Sequence, residues 1–299
     1  MFLGQQKEKS LGKIHLIINP AAGTDEPVLS YIKEILAGID YEINEARKEG
    51  DVFRIAKDVL QTASMIAVYG GDGSVCEAAK ALHGCGTPMF ILPGGTANVM
   101  SKEIEMPQDT KTALTILAER KYTIKGIDMG IVNGRPFLLR VNLGILSDMI
   151  TETTPEMKDR WGQWAYGITA FREMPSEGTI YKLTVDGNNF DQQAVALTIT
   201  NAGNIGKEGY SFLPGISITD GLLDVIALEK ASLLSFIKLT GNILLHNESK
   251  DLLHWKAKEI SITLPEETLF LCDDAGQSDK ELRISVSPSS LQLAIPIKA

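Results

Sequence analysis

Two glycine-rich turns contain the residues of this chain that are best suited to chemistry. The first is Gly-Gly-Asp-Gly-Ser at positions 70–74, the second is Pro-Gly-Gly-Thr-Ala-Asn at positions 93–98, and each follows a short apolar run. Glycine allows backbone N–H groups to approach a phosphate closely, and the start of a helix adds a favourable field for an anion. Two such turns side by side would form a cradle for a polyphosphate.

Polar side chains within these turns extend the same chemistry. Asp72 offers a carboxylate to a metal ion or its waters, while Thr96 offers a hydroxyl group and Asn98 an amide. An alternative interpretation of the first turn is a tight strand-to-helix connection in which Asp72 only caps the helix, but the second turn argues against it. Neither turn has the lysine of a Walker A loop, and GxGxxG and protein-kinase motifs are absent. The pair indicates a nucleotide-using enzyme.

Strand and helix patterns alternate through the first part of the chain. Apolar strands are predicted at 13–18, 39–43, 65–69 and 89–92, and helices at 27–37, 52–60, 75–82 and 109–119. This alternation predicts an α/β fold with a parallel sheet covered by helices. The turns at 19–23, 70–74 and 93–98 then lie at the carboxyl ends of strands, where such sheets bind ligands.

The pattern changes near residue 121, where strands begin to follow one another. They are predicted at 122–132, 135–142, 179–186, 192–200, 216–228, 258–264, 267–272, 281–287 and 291–296, with helical stretches at 156–174 and 231–245. We therefore expect an α/β nucleotide domain at 1–125 and a mostly antiparallel β-sandwich domain at 126–299. A return of the last residues to the first domain is left open.

Composition excludes several classes of function. The 299-residue chain is 44% hydrophobic, and its formal net charge of −9 argues against nucleic-acid binding through a generally basic surface. Three cysteines without a CxxC pair favour free thiols in a reducing compartment. Without a secretion-signal pattern or an apolar run long enough to span a bilayer, the sequence predicts a cytoplasmic protein that contacts a membrane only peripherally and transiently.

Five motifs of the chain stand in the order found in the diacylglycerol kinase catalytic family. They are INPAAG (18–23), YGGDGS (69–74), LPGGTANVMSKEI (92–104), KGIDMG (125–130) and ITDGLLDV (218–225). The GGDG element also occurs in NAD kinases, whereas PGGTAN together with DGLLD resembles the lipid kinases specifically. The resemblance covers nearly the whole chain, and it implies transfer of the γ-phosphate of ATP to a hydroxyl group of a diacylglycerol-like lipid.

The resemblance also implies roles for individual residues. Asp72 and Asp128 would hold the catalytic Mg²⁺, largely through water, and Asp220 with the backbone carbonyls of Ser217 and Leu222 matches a second, structural Mg²⁺ site. The residues that would line the ATP site are Asn19, Pro20, Ala21, Ala22, Gly23, Gly70, Gly71, Asp72, Gly73, Ser74, Val75, Cys76, Glu77, Gly94, Gly95, Thr96 and Asn98.

The chain departs from the family pattern at two catalytically important places. Asp273 falls at the Asp of a family Asp-Gly-Glu motif whose carboxylates are assigned the proton-accepting role, but here the motif reads Asp273-Asp274-Ala275. The proton acceptor is then Asp273 or Asp274. Val99 stands where many members have Asp. A catalytically weak or inactive protein that binds lipid or nucleotide therefore stays open, as does an NAD kinase.

The acceptor lipid is expected to bind the β-rich domain and the cleft. Trp161, Trp164, Ile168 and Phe171 follow helical spacing, which suits either a membrane-facing surface or a core helix packed on the sheet. The core helix is the commoner outcome for such a stripe. The identity of the lipid stays open, and so does a homodimer.

Overall fold

The structure, a computed structural model, divides the chain into two compact units. The first comprises residues 1–125 and 291–299, and the second comprises residues 126–290. The residues described are 13–21, 26–144, 178–207, 209, 211–229, 252–273 and 275–298. Within those ranges, no helix combines the length and the apolar character that crossing a bilayer requires.

The first unit is built on a parallel sheet, as predicted. Its strands are β1 (Lys13–Ile18), β2 (Tyr41–Glu45), β3 (Ala63–Gly70) and β4 (Met89–Pro93), in the spatial order β2-β1-β3-β4. All five residues of β4 are buried, as expected for a parallel strand covered on both faces. The last residues of the chain add one more parallel strand beside β4, where Leu293 pairs with Met89.

Five helices lie in the described part of the first unit. They are α1 (Val28–Ile35), α2 (Asp51–Val59), α3 (Asp72–Leu82), α4 (Val99–Glu103) and α5 (Thr110–Ala118). The sequence predicts that Asp109 or Thr110 caps α5, and in the structure it is the Asp109 carboxylate that accepts a hydrogen bond from Thr112 N at 2.8 Å. The short helix α4 was not predicted, since it begins directly after the second glycine-rich turn and its five residues are too few to show a helical period.

The described part of the second unit is antiparallel, which confirms the predicted fold class. The strands from residue 122 onwards are β5 (Tyr122–Val132), β6 (Arg135–Phe137), β7 (Arg140–Gly144), β8 (Thr179–Val185), β9 (Asn188–Ala194), β10 (Ala196–Thr200), β11 (Leu223–Leu228), β12 (Leu252–Ala257), β13 (Glu259–Cys272) and β14 (Ala275–Pro296). Strands β12, β11, β10, β7 and β13 lie side by side, and the β8–β9 hairpin pairs with β13.

Several predicted strand boundaries from residue 122 onwards are wrong. The strand expected at 135–142 is divided into β6 and β7, the strand expected at 192–200 is divided between β9 and β10, and the strands expected at 281–287 and 291–296 are one strand, β14. Strand β12 was not predicted. The strand expected at 216–228 begins only at Leu223, because residues 215–222 form a loop held by side-chain contacts described below. The strands expected at 258–264 and 267–272 are one strand, β13, with an irregularity in its pairing between Thr263 and Thr268. The predicted helical stretches at 156–174 and 231–245 lie outside the described residues.

A glycine beneath an aromatic ring gives a test of packing in the second unit. A Cβ at Gly130 would lie 2.0 Å from Cζ of its cross-strand partner Phe137, which is fully buried. We expect Gly130→Ala to lower the free energy of unfolding by about 1–3 kcal/mol, the usual cost of overpacking a core. Gly276→Ala is the control, since its Cβ would meet only Leu269 at an ordinary 3.7 Å. Denaturant unfolding measures both, and equal stability of the two variants would contradict the predicted clash.

Candidate active site

Three turns meet at one edge of the first unit's sheet. Strands β1, β3 and β4 are parallel neighbours, so their carboxyl ends lie together. Asn19 N donates a hydrogen bond to Tyr69 O, and Gly94 N donates one to Gly70 O, both at 3.0 Å. The backbone of each turn is thereby bonded to the neighbouring strand end.

The two glycine-rich turns are in direct backbone contact. A Cβ added to Gly95 would lie 2.6 Å from the Cα of Gly71, and one added to Gly94 would lie 2.9 Å from Cζ of Tyr69. These distances are too short for any side chain, so glycine is required for the approach. Burial raises the pKa of the Tyr69 hydroxyl beneath them, and the charge of Glu26 adds to this effect.

Asparagine side chains hold two of the turns in shape. The Asn19 amide donates to Ser74 Oγ at 3.0 Å and its carbonyl oxygen accepts from Ala21 N at 3.1 Å. Asn98 has a left-handed backbone, and its side chain both accepts from Gly95 N at 2.9 Å and donates to Gly95 O at 2.7 Å. The amide of Asn98, which the sequence suggested as a phosphate contact, thus bonds to its own turn and also donates to Gln108 Oε1 at 3.1 Å.

Asp72 lies at the start of α3 and links the two turns. It is the first residue of the helix, after Gly71, and its Oδ1 accepts from Val99 N, the first residue of α4, at 2.6 Å. A carboxylate at a helix N-terminus is stabilised by the helix dipole. The contact therefore joins α3 of the first turn to α4 of the second.

Lys102 is a charged group at the second turn that the sequence analysis did not select. Its ammonium donates to Ala97 O at 2.5 Å and to Thr96 O at 3.3 Å. The side chain of Thr96 itself is exposed at this turn. The signal in the sequence was a lysine one helical turn after Asn98, but lysines at such positions are common on helix surfaces. Lys102 brings a positive charge beside backbone that is expected to meet phosphate.

The remaining residues of the predicted ATP site contribute in different ways. Ser74, Val75 and Cys76 are buried on α3, and the Glu77 carboxylate accepts from Gly50 N at 2.9 Å and from Phe53 N at the start of α2. Glu77 thus orients α2. Pro20 and Ala21 are exposed in the turn after β1. Ala22, Gly23 and Asp274 lie outside the described residues.

In the second unit, the carboxylate of Asp128 accepts hydrogen bonds from two backbone N–H groups. It is 1% exposed, and its two oxygens accept from Ser289 N at 2.8 Å and from Gly221 N at 2.7 Å. Asp128 N also donates to Ile218 O at 2.7 Å. A buried carboxylate needs such donors, and here they join β5 to the 215–222 loop and to β14.

The carboxylate of Asp273 is also held by backbone. This residue has a left-handed backbone at the turn between β13 and β14 and is 8% exposed. Its oxygens accept from Leu138 N at 3.0 Å, from Leu139 N at 2.8 Å and from Arg140 N at 3.3 Å. Ala275, which stands at the Glu position of the motif, is exposed at the start of β14.

The residues expected to form a structural Mg²⁺ site share the 215–222 loop. Asp220 Oδ1 accepts from Leu222 N at 3.1 Å, and its Oδ2 accepts from the Lys256 ammonium at 2.6 Å. The hydrogen bond to Asp220 is the main cause that raises the pKa of Lys256. Ser217 Oγ contacts Thr219 in the same loop. Across the described ranges, no three acidic, histidine or cysteine side chains converge as metal ligands.

Known proteins resemble this chain along most of its length. A probable lipid kinase of Pseudomonas aeruginosa, named as YegS-like, is 28% identical over 97% of this chain and 95% of that protein. The diacylglycerol kinase of Bacillus subtilis is 25% identical over 85% of this chain and 86% of that protein. A crystal structure from Bacillus anthracis, described as a candidate diacylglycerol kinase, has a TM-score of 0.80 at 26% identity and covers 95% of this chain and 97% of its own.

Two family domains cover the described strands and turns almost completely. Residues 13–132 match the diacylglycerol kinase catalytic domain, which includes both glycine-rich turns. Residues 140–295 match the YegS C-terminal NAD kinase beta sandwich-like domain, which agrees with the antiparallel strands of the second unit. The chain therefore belongs to the family of diacylglycerol kinase-type lipid kinases in which a catalytic domain is followed by a YegS-type C-terminal domain.

Proposed function

We propose that this protein transfers the γ-phosphate of ATP to a hydroxyl group of a diacylglycerol-like lipid, with Mg²⁺ as the metal. The observation that supports this most is the contact between the two glycine-rich turns, with Asp72 bonded across them to Val99 N. Their backbone N–H groups and the start of α3 suit a polyphosphate. The lipid acceptor implies transient contact with a membrane surface, while the tryptophan-rich stretch at 161–171 lies outside the described residues.

The chemistry of phosphoryl transfer matches what these groups can supply. The transferred group passes through a loose transition state, so catalysis depends mainly on positioning and on neutralising the phosphate oxygens. Backbone N–H groups of the turns would hold the phosphates, and Lys102 would add positive charge. Bound Mg²⁺ would supply further charge neutralisation, and Asp72 is the carboxylate of the first unit best placed to orient it. A proton from the lipid hydroxyl would pass to a carboxylate of the Asp273-Asp274 pair.

A catalytically weak protein is the second candidate, and specific observations favour it. Three backbone N–H groups occupy the Asp273 carboxylate, and the neighbouring Glu of the family motif is Ala275. At position 99 the first unit has valine where many family members have Asp, so a further carboxylate is missing. Such a protein would bind ATP with Mg²⁺ but would transfer little phosphate to any lipid.

The first test removes the charge of Asp72 and keeps its shape. Asp72→Asn retains an oxygen that accepts from Val99 N, so we expect a folded protein whose kcat is lower by about 10²-fold or more. Asp109→Asn is the matched control, because Asp109 is exposed and its capping oxygen is also retained. Transfer of labelled phosphate from ATP to a total lipid extract, followed by identification of the product, measures both.

Each outcome of that assay separates the candidates. Full activity of a folded Asp72→Asn variant would contradict the role of Asp72. Labelling of added NAD instead of lipid would indicate an NAD kinase. Intact ATP binding without transfer to any lipid would favour the catalytically weak protein.

The second test restores the missing carboxylate of the motif. We expect Ala275→Glu to raise kcat towards lipid by up to about 10²-fold, the lower range for a general base. Gly276→Glu is the control, since it adds the same charge on the opposite face of β14. Steady-state rates with the identified lipid decide the outcome, and equal rates in the two variants would exclude position 275 as the source of the proton acceptor.

The third test separates nucleotide binding from folding. A Cβ at Gly73 would meet no atom within 4 Å, whereas one at Gly95 would press on Gly71. We therefore expect Gly73→Ala to keep its melting temperature but to bind ATP about tenfold more weakly, or about 1.4 kcal/mol, because the methyl group occupies phosphate space. Gly95→Ala should lose both stability and binding. Calorimetric titration with ATP that shows wild-type affinity for Gly73→Ala would contradict phosphate binding at this turn.

A further inference from the structure

A lysine side chain lies in the loop where the resemblance expects a structural cation. The expected ligands are Asp220 and the carbonyls of Ser217 and Leu222. In the structure the Lys256 ammonium donates to Asp220 Oδ2 at 2.6 Å and to Gly215 O at 2.7 Å. One ammonium group therefore bonds to the first residue of the 215–222 loop and to Asp220 near its other end.

This arrangement does not fit a divalent cation beside Asp220. The other oxygen of the carboxylate accepts from Leu222 N at 3.1 Å, so both oxygens are bonded within the protein. A metal ion on Asp220 would lie next to the positive charge of Lys256, and the repulsion would be strong at such a short separation. The ion would have to displace the ammonium to bind.

A second carboxylate keeps the ammonium in place. Asp224 is fully buried and pairs directly across the β11–β12 ladder with Lys256, whose Nζ lies 3.9 Å from Asp224 Oδ1. The same oxygen is 2.6 Å from Nε2 of His254, while Asp224 Oδ2 has no hydrogen-bond partner among the described residues. A buried carboxylate is costly without positive charge nearby, so displacement of Lys256 would remove a positive charge from Asp224 and leave its contact with His254 to compensate it.

We propose that the Lys256 ammonium replaces the structural divalent cation of the 215–222 loop in this protein. The replacement matters for the candidate active site, because this loop supplies two backbone contacts of Asp128. Gly221 N donates to the Asp128 carboxylate and Ile218 O accepts from Asp128 N, each at 2.7 Å. Lys256 thus fixes the loop that positions Asp128, which makes it a positioning residue.

The test measures thermal stability and cation binding without nucleotide and without any activity readout. We expect the wild-type melting temperature to be the same in excess EDTA and in millimolar Mg²⁺ or Ca²⁺. Lys256→Met should melt about 2–4 °C lower in EDTA and should regain this loss with either cation. Lys256→Arg, which keeps the charge, should stay insensitive to cations. Adding Asp220→Asn to Lys256→Met should abolish the rescue and so locate it at the loop.

Two results would contradict the proposal that Lys256 replaces the cation. One is a wild-type protein that melts lower in EDTA and binds a divalent cation that Asp220→Asn removes. The other is a Lys256→Met variant that responds to cations no more than wild type does. The first result needs no lysine variant, so it holds even if Lys256→Met fails to fold. The reference protein called wild type in this test and all variants carry Asp72→Asn, which excludes cation binding at the glycine-rich turns from every comparison. The result is independent of whether the protein phosphorylates a lipid.

Discussion

The close approach of two backbone turns is the constraint on which the first unit depends. Gly95 lies so close to Gly71 that a Cβ at position 95 would be 2.6 Å from the Gly71 Cα, and this approach brings the start of α3 next to the start of α4. Two helix starts then lie near one edge of the sheet, with Asp72 bonded between them. A single turn of this kind is common in α/β proteins, but two in contact concentrate N–H groups in one place, as a polyphosphate requires.

The regular part of this arrangement could be predicted from the sequence because its signals are local. Apolar runs that end in glycines identify β3 and β4, and alternation with helical patterns implies parallel strands whose carboxyl ends meet. The cap of α5 could be narrowed to Asp109 or Thr110 from the sequence. Because β3 and β4 are adjacent strands, the sequence could predict that the two turns lie near each other. It could not predict that the backbones of Gly71 and Gly95 are in direct contact.

The contacts of the acidic residues could not be predicted in the same way. Each of these carboxylates accepts a hydrogen bond from a residue that is distant in the sequence. The pairs are Asp128 with Ser289, Asp273 with Leu139, and Asp220 with Lys256. Such pairs arise from strand pairing over long distances, for which no local pattern exists. The strand expected at 216–228 was too long for the same reason. Its first residues are held as a loop by hydrogen bonds with Asp128 and Lys256, which the local sequence could not predict.

The scaffold of the candidate site is independent of the positions at which the chain departs from its family. Asp72 is held by the backbone N–H of Val99, which any residue except proline would provide, so loss of a carboxylate at position 99 leaves Asp72 in place. Asp273 is likewise held by the N–H groups of residues 138–140, none of which involves Ala275. Backbone contacts of this kind leave Asp72 and Asp273 in place whichever side chains occupy positions 99 and 275. The proposed contribution of those two positions to catalysis can therefore be tested separately from folding.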